Sequence, residues 1–425
     1  MPLKAPTARY VVCLLALVNL INYVDRMALS ILLPAIKRDL DLSDTDLGVL
    51  TGFAFATFYA LFGLPIARWA DRGVRRTIIF LSLAAWSTMT ALSGAAQNFL
   101  QLFLARVGVG VGEAGCIPPS HSLISDYVPP VRRAGALAVH TAGATVGIIV
   151  GLASAGWLSS QFGWRLTLLL LGLPGLLIAL IVRFTLTEPQ RGFSDGVSDV
   201  SHEFIPLGVT IRRLWRCRLY VQLVTIMGLV TFTSFGLNQW LPSYYMRTFG
   251  MDVAAVGLCF GLAYGMGATL GTLGGGLLAN RMSTRDICHP LRLAIACYAT
   301  AIPLGIAIFL ATTPAWAFGA NFLFATILSI PVGALFAFVQ AVVPTQSRAL
   351  ASAIAMFCAS VAGIGAGPFF VGVASDVLAP TFGGNESLRY ALILSTGFLV
   401  WPIFHCRLAI KYLQTDLTDA LHCSS

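Results

Sequence analysis

Apolar runs of about 20 residues, the length that crosses a hydrocarbon core of roughly 30 Å, follow one another along almost the whole chain. Only 11% of the 425 residues are charged and 57% are hydrophobic, whereas a soluble domain carries roughly 25% charged residues. There is too little polar surface to cover a water-facing globule. In lipid each backbone N–H and C=O must be satisfied within the chain, which leaves helices as the spanning element for runs of this length. The fold class is an all-α integral membrane protein.

Twelve spans can be laid out, near 9–35, 44–69, 76–96, 99–125, 132–160, 165–185, 218–246, 252–280, 288–311, 315–342, 347–377 and 387–412. The one long polar interruption is LTEPQRGFSDGVSDVSHEFIPLGVTIRRLWRC, residues 186–217. Its Pro, Gly, Ser and Asp content marks a linker, and its Phe204–Arg218 end alternates apolar and basic residues as a short interfacial helix does. The expected organisation is therefore 1–185 as one six-helix bundle, 186–217 as a cytoplasmic linker, and 218–425 as a second six-helix bundle with a short cytoplasmic tail. The N-terminal run is too long and too polar, with Asn19, Asn22, Asp25 and Arg26, to be a cleaved signal, so it is read as a retained first span.

Charge sets the orientation. Of the 27 Lys and Arg residues, Lys37, Arg38, Arg165, Arg247 and Arg389 fall outside, Arg26 and Arg106 fall within spans, and the other 20 fall on the side of the N-terminus. Both termini are expected in the cytoplasm, in an inner (plasma) membrane. The net charge of +9 follows from this bias, because no aromatic-laced basic patch of the kind that binds nucleic acid is present. The nine cysteines form no CxxC pair and read as small buried hydrophobes. No metal-ligand cluster or phosphate-binding loop is found, and no cofactor or metal is expected.

The two halves repeat. ARWADRGVRR (67–76) links spans 2 and 3, and GLLANRMSTR (276–285) links spans 8 and 9, with Ala67, Asp71 and Arg72 echoed by Gly276, Asn280 and Arg281. VPPVRRAGALA (128–138) is echoed by VPTQSRALASA (343–353), pairing Pro129 with Pro344 and Arg133 with Arg348. Parallel repeats of this kind build transporter halves.

On these residues the chain resembles the major facilitator superfamily, whose loop 2–3 signature is G-x-x-x-D-R-x-G-R-R/K. Here Ala67 replaces the first Gly, and the later Gly has moved to position 73 with Val74 in its place. Trp164-Arg165 at the start of span 6 also fits. NYVDR (22–26) together with RVGVGVGEAG (106–115) resembles the Spinster branch, where N-Y-x-D-R and R-x-x-x-G-x-G-E-A are characteristic. The resemblance implies a transporter of two pseudo-symmetric six-helix bundles, with spans 1 and 4 lining a central cavity. Spinster-like proteins are associated with sphingoid and lysophospholipid transport, and similar span 1 motifs occur in organic-anion symporters.

Charge inside the membrane is the sharpest functional signal, since each such group near the bilayer centre costs about 2.5–3.5 kcal/mol on insertion scales. The chain places four there: Asp25, Arg26, Arg106 and Glu113. A seven-residue step puts Arg106 and Glu113 on one face, about 10 Å apart along the axis, and Asp25 at a depth similar to Arg106. Burial favours a neutral carboxyl and a guanidinium neighbour favours the charged one. Arg106 is therefore expected to pair with Asp25 or Glu113 according to protonation and substrate, a static pair ordering spans 1 and 4 being the alternative. Arg26 points about 100° from Asp25, toward substrate or outward to the interface. Asn22 and Tyr23 lie one turn before. Gly110-x-Gly112-x-x-Gly115 matches a dinucleotide fingerprint only formally, having no preceding strand, and its glycines are expected to let span 4 pack closely. Gly143, Gly147 and Gly151 form a second small-residue stripe on span 5. His121 and His140 are read as structural groups.

The second half offers polarity without charge at Asn238, Gln239 and Tyr244 on span 7 and at Gln340 on span 10. These join Arg26, Arg106, Glu113, Asn22 and Tyr23 as candidate substrate contacts. Pro242 is expected to break span 7 near a gate. Phe and Tyr residues on spans 2, 7, 8 and 10 are available to hold an apolar tail. Asp71, Arg72, Arg75, Arg76, Arg133, Asn280 and Arg281 are candidate inner-gate residues. The expected function is secondary transport of an amphipathic organic anion or lysolipid by alternating access in the bilayer, coupled to protons through Asp25 and Glu113, by a monomer. Two other readings stay open: a symporter of small organic anions, and a non-transporting receptor on the same scaffold. No enzyme constellation is found.

Overall fold

In the computed structural model, residues 7–190, 207–282, 288–343 and 348–422 are described. Among them every regular element is helical. Ten helical stretches are long and apolar enough to cross a membrane. One of these, Pro130–Thr185, bends at Gly163, whose φ of 74° is a left-handed value that suits glycine, and so counts as two spans. Arg75–Ser93, with two arginines in its first turn, makes the twelfth. The twelve-span major facilitator architecture results.

The chain divides into two compact units. The first holds residues 1–201 and 241–261, and the second 202–240 and 262–425. The first unit contains α1 (Ala8–Leu40), α2 (Asp44–Thr51), α3 (Phe53–Arg72), α4 (Arg75–Ser93), α5 (Phe99–Glu113), α6 (Ile117–Tyr127) and α7 (Pro130–Thr185). Span 4 is thus two helices rather than one. Pro118 and Pro119 occupy the start of α6, where missing N–H groups are tolerated, and the chain turns at Ala114–Cys116. Glu113 consequently ends α5.

Glycines fix how closely α1 and α5 approach their neighbours. A Cβ on Gly143 or Gly147 would overlap the carbonyl oxygens of Ala16 and Leu20, and one on Gly151 would lie 2.7 Å from Val24 Cα. The four-residue steps on α7 therefore mesh with four-residue steps on α1. On α5, Gly110 abuts the Phe55 carbonyl of α3 and Gly112 the Trp86 backbone of α4, at 2.6 and 2.7 Å from the same hypothetical Cβ. The formal nucleotide fingerprint is a packing stripe.

The first residues of the expected linker are tied to this unit. Buried Arg75 meets Asp126 and Ser122 of α6, and its Nε donates to Glu188 over 2.7 Å, while Arg76 N donates to the other Glu188 oxygen at 3.0 Å. Residues 191–206 of the linker lie outside the described residues, and the helix expected at Phe204–Arg218 is described as α8 (Leu207–Arg216). At the other end of the unit, Asp44 of α2 is buried and accepts two N–H groups of Arg247, at 2.8 and 2.9 Å, and one from Lys37 at 2.5 Å. Leu152 and Gly156 of α7 lie against Gly257 and Val253.

The second unit includes most of α9 (Arg218–Phe249), then α10 (Val253–Met282), α11 (His289–Leu310), α12 (Pro314–Ser329), α13 (Val332–Ala341), α14 (Arg348–Ala359), α15 (Ala366–Phe382), α16 (Gly384–Gly397) and α17 (Val400–His422). A π-helical turn at Ser360–Gly365 joins α14 to α15. The break expected at Pro242 does not occur, and α9 runs through it. Proline removes only one helical hydrogen bond, and Trp240 Nε1, donating to the Pro368 carbonyl at 2.9 Å, anchors the preceding turn.

The meshed stripe yields a paired test. Gly147→Val is expected to destabilise the protein by about 1–3 kcal/mol through overpacking, seen as a lower thermal midpoint in detergent. Gly135→Ala, where a Cβ meets nothing within 4 Å, is expected to leave the midpoint unchanged.

Candidate functional site

Three helices of the first unit meet around two buried cations. Arg26 extends from α1 to Glu113 at the end of α5, donating from Nη2 over 2.5 Å and from Nε over 3.1 Å to the same oxygen, Oε2. Both side chains are buried, 7% and 0% exposed. Three aromatic rings surround the guanidinium, with centroids 5.1 Å away for Tyr23, 4.8 Å for Phe55 and 5.3 Å for Tyr59. Phe55 and Tyr59, one turn apart on α3, stack at 5.5 Å. A cation over such faces gains about 0.5–2 kcal/mol per ring.

Burial explains why Glu113 needs this partner. A carboxylate taken out of water is costly unless it is paired, and the Arg26 guanidinium supplies the opposite charge.

The arginine on Glu113 is therefore Arg26 and not Arg106. Seven residues of rise, about 10 Å, separate Arg106 from Glu113, whereas the long Arg26 side chain reaches Glu113 from α1. Arg106 is buried, its guanidinium 5.6 Å from the Phe55 ring, and its Nε has no partner. Arg26 does not turn outward to the interface. Asp25 is buried, with no guanidinium bonded to its carboxyl and with Trp86 and Thr90 of α4 as its nearest hydrogen-bonding neighbours. Arg106 and Glu113 from α5 also lie around it. Ser87 Oγ, Glu113 Oε1 and both amide atoms of Asn22 are unpartnered. Buried polar groups are costly unless hydrogen-bonded, and in this unit these donors and acceptors gather around Asp25.

The aromatics of α3, available in the sequence to hold a tail, hold the cation instead. The i, i+4 spacing of Phe55 and Tyr59 was the visible signal. Trp86, Ser87 and Thr90 on α4 carried none, since nothing in an apolar span marks which hydroxyl faces inward.

In the second unit, Ser234 and Asn238 of α9 line a cavity of about 220 Å³ with Phe235, Tyr264, Phe324 and Ser329. Among the described residues no charged one lines it. Asn238 Nδ2 donates to Ser234 Oγ at 3.3 Å, and Gln239 is buried with Oε1 unpartnered. Tyr244 is buried in the part of α9 that clusters with the first unit, and Gln340 is exposed at the end of α13. Of the expected gate residues, Arg72 is exposed, Arg75 and Arg76 hold Glu188, and Arg133 Nε donates to the carbonyls of Ser125 and Val128. The side chains of Asp71, Asn280 and Arg281 lie outside the described residues.

A repeated twelve-span helical chain with opposite charges buried inside one of its halves is a membrane transporter of the facilitator type. The chain belongs to the Major Facilitator Superfamily, whose family model matches residues 15–368. Within it the chain is of the Spinster-like type. A crystal structure of a bacterial homolog to the human lysosomal transporter Spinster superposes with a TM-score of 0.88 at 31% identity, over 97% of this chain and 98% of that one. The chain is 32% identical to an MFS-type efflux pump of Mycolicibacterium smegmatis, over 96% of this chain and 94% of the relative. It is 25% identical to the hexuronate transporter of Bacillus subtilis, over 92% of each. The protein is a multi-pass membrane transporter of small substrates and not an enzyme.

Arg26→Leu leaves Glu113 buried and unpaired, and is expected to destabilise the protein by about 3–5 kcal/mol, read as a lowered thermal midpoint in detergent. The double variant R26L/E113L is expected to recover most of that loss. Arg26→Lys keeps charge but not the flat face that lies on Phe55 and Tyr59, and is expected to recover only part.

Proposed function

We propose that this transporter moves an amphipathic organic anion or lysolipid-like substrate by alternating access, coupled to protons through Asp25 and Glu113. The observation that carries the reading is the unequal treatment of two buried carboxyls. Glu113 takes two N–H groups from Arg26, while Asp25, beside Arg106, has no guanidinium bonded to it. An anionic headgroup entering this cluster competes with the carboxyls for Arg26 and Arg106, and a carboxyl deprived of its guanidinium takes up a proton. That exchange links substrate binding to protonation. Asn22 and Tyr23 are proposed beside the headgroup, and Asn238, Gln239, Tyr244 and Gln340 as further substrate contacts.

Two bundles, 1–185 and 218–425, joined by a cytoplasmic linker at 186–217, would then rock about the site. Asp71, Arg72, Arg75, Arg76, Arg133, Asn280 and Arg281 are proposed for the inner gate. The bias of Lys and Arg supports cytoplasmic termini in the plasma membrane, and a monomer carries the complete pathway. A second reading, proton-coupled uptake of small organic anions, draws on the hexuronate transporter relative and on two arginines in one site.

Proteoliposomes test the two together. Flux of lysophosphatidylcholine and of a hexuronate is measured with and without an imposed pH gradient. Gradient-driven lysolipid flux is expected, falling at least tenfold in both D25N and E113Q while binding persists. Hexuronate flux alone would favour the second reading, and undiminished flux in both variants would overturn proton coupling. Binding without any flux would point to a receptor.

A further inference from the structure

A line of buried polar side chains runs through the first unit from Asp25 toward the N-terminal end of α1, and the Arg26–Glu113 pair uses none of it. Asn22 and Asn19 follow Asp25 at three-residue steps, each about 4.5 Å along the helix. All three are buried, and both Asn22 amide atoms and Asn19 Oδ1 are unpartnered. Asn19 Nδ2 donates to the His140 carbonyl at 2.9 Å, which carries the line onto α7. His140 is itself buried with Nε2 unpartnered. Its ring meets that of His121, on α6, edge-on with centroids 5.0 Å apart. His121 is exposed and stands six residues, about 9 Å, from the end of α6 at Tyr127. That end of the unit carries Arg75, Arg76, Arg132 and Arg133.

Two facing imidazoles followed by two bare amides and a buried carboxyl are an unusual content for a helix bundle in lipid. The geometry points to a proton relay from the basic end of the first unit to Asp25, formed by His121, His140, Asn19 and Asn22. The inference rests on Asp25 being a coupling carboxyl, as proposed above.

The steps balance one proton. His121 takes it from solvent at a ring nitrogen and yields one from its other nitrogen toward His140. His140 accepts at one nitrogen and releases at the other into water held by the amides of Asn19 and Asn22. That water delivers a proton to the Asp25 carboxylate, leaving a neutral carboxyl and two neutral rings. The amides carry no proton and serve to orient the water. His140 is faced by His121 from α6 and Asn19 from α1. Asp25 is faced by Arg106 and Glu113 from α5 and by Trp86 and Thr90 from α4.

The proton itself is the probe. Protein in nanodiscs is given a downward pH jump, and the Asp25 carboxyl band, identified by its loss in D25N, is followed by time-resolved infrared spectroscopy. In H140Q, which keeps the backbone carbonyl that Asn19 binds, the band is expected to appear at least tenfold more slowly but to reach wild-type amplitude. Added imidazole is expected to restore the rate. H121Q, at an exposed position that does not threaten folding, is expected to slow it likewise. Wild-type rates in both variants with the band intact would overturn the relay and leave proton coupling standing. Absence of an Asp25 band in the wild type at every pH would overturn both.

Discussion

Glu113 is a carboxylate buried inside the membrane, out of reach of water, and Arg26 is the group that makes an acid tolerable there. Much of the first unit can be understood as the support for that one contact. The guanidinium must be desolvated to reach α5, so Tyr23, Phe55 and Tyr59 supply the faces that replace water. Its carrier, α1, lies close against α7, and glycines stand where a side chain would hold those two helices apart. The double proline after Cys116 ends one helix and begins the next, which fixes Glu113 at a terminus rather than mid-helix.

Because one carboxyl is held by a guanidinium and its neighbour is not, the cluster stores a choice. Two arginines and two carboxylates share one buried cluster, and in a low-dielectric interior a change of partner shifts electrostatic energy by more than it would in water. In the coupling proposed above, an anion that competes for the cations is the ligand that biases which carboxyl is paired.

The class of protein and the repeat were legible in the residues alone. Span length, the Lys and Arg bias and the twin loops at 67–76 and 276–285 are one-dimensional signals that survive without coordinates. The four intramembrane charges were equally visible, since lipid makes each conspicuous. Their pairing was not. The seven-residue step put Arg106 and Glu113 on one face, but the contact is decided by which long side chain reaches Glu113, and that depends on how α1 packs in the bundle. Pro242 misled for a related reason, because a proline weakens a helix locally while Trp240, bonded to Pro368 far along the chain, keeps it in place. The break after Glu113 was written in Pro118 and Pro119, yet an apolar run long enough to span hides it.

The meshing of Gly143, Gly147 and Gly151 with Ala16, Leu20 and Val24 behaves as a rack. A slip of α1 by one residue along α7 would turn it by about 100° and drive Cβ atoms into carbonyls at several teeth together. Sliding or screwing of α1 within its own bundle is thereby blocked. Arg26 and Asp25 ride on that same helix, so the teeth that lock α1 to α7 also hold these two charges at a fixed height in the bundle.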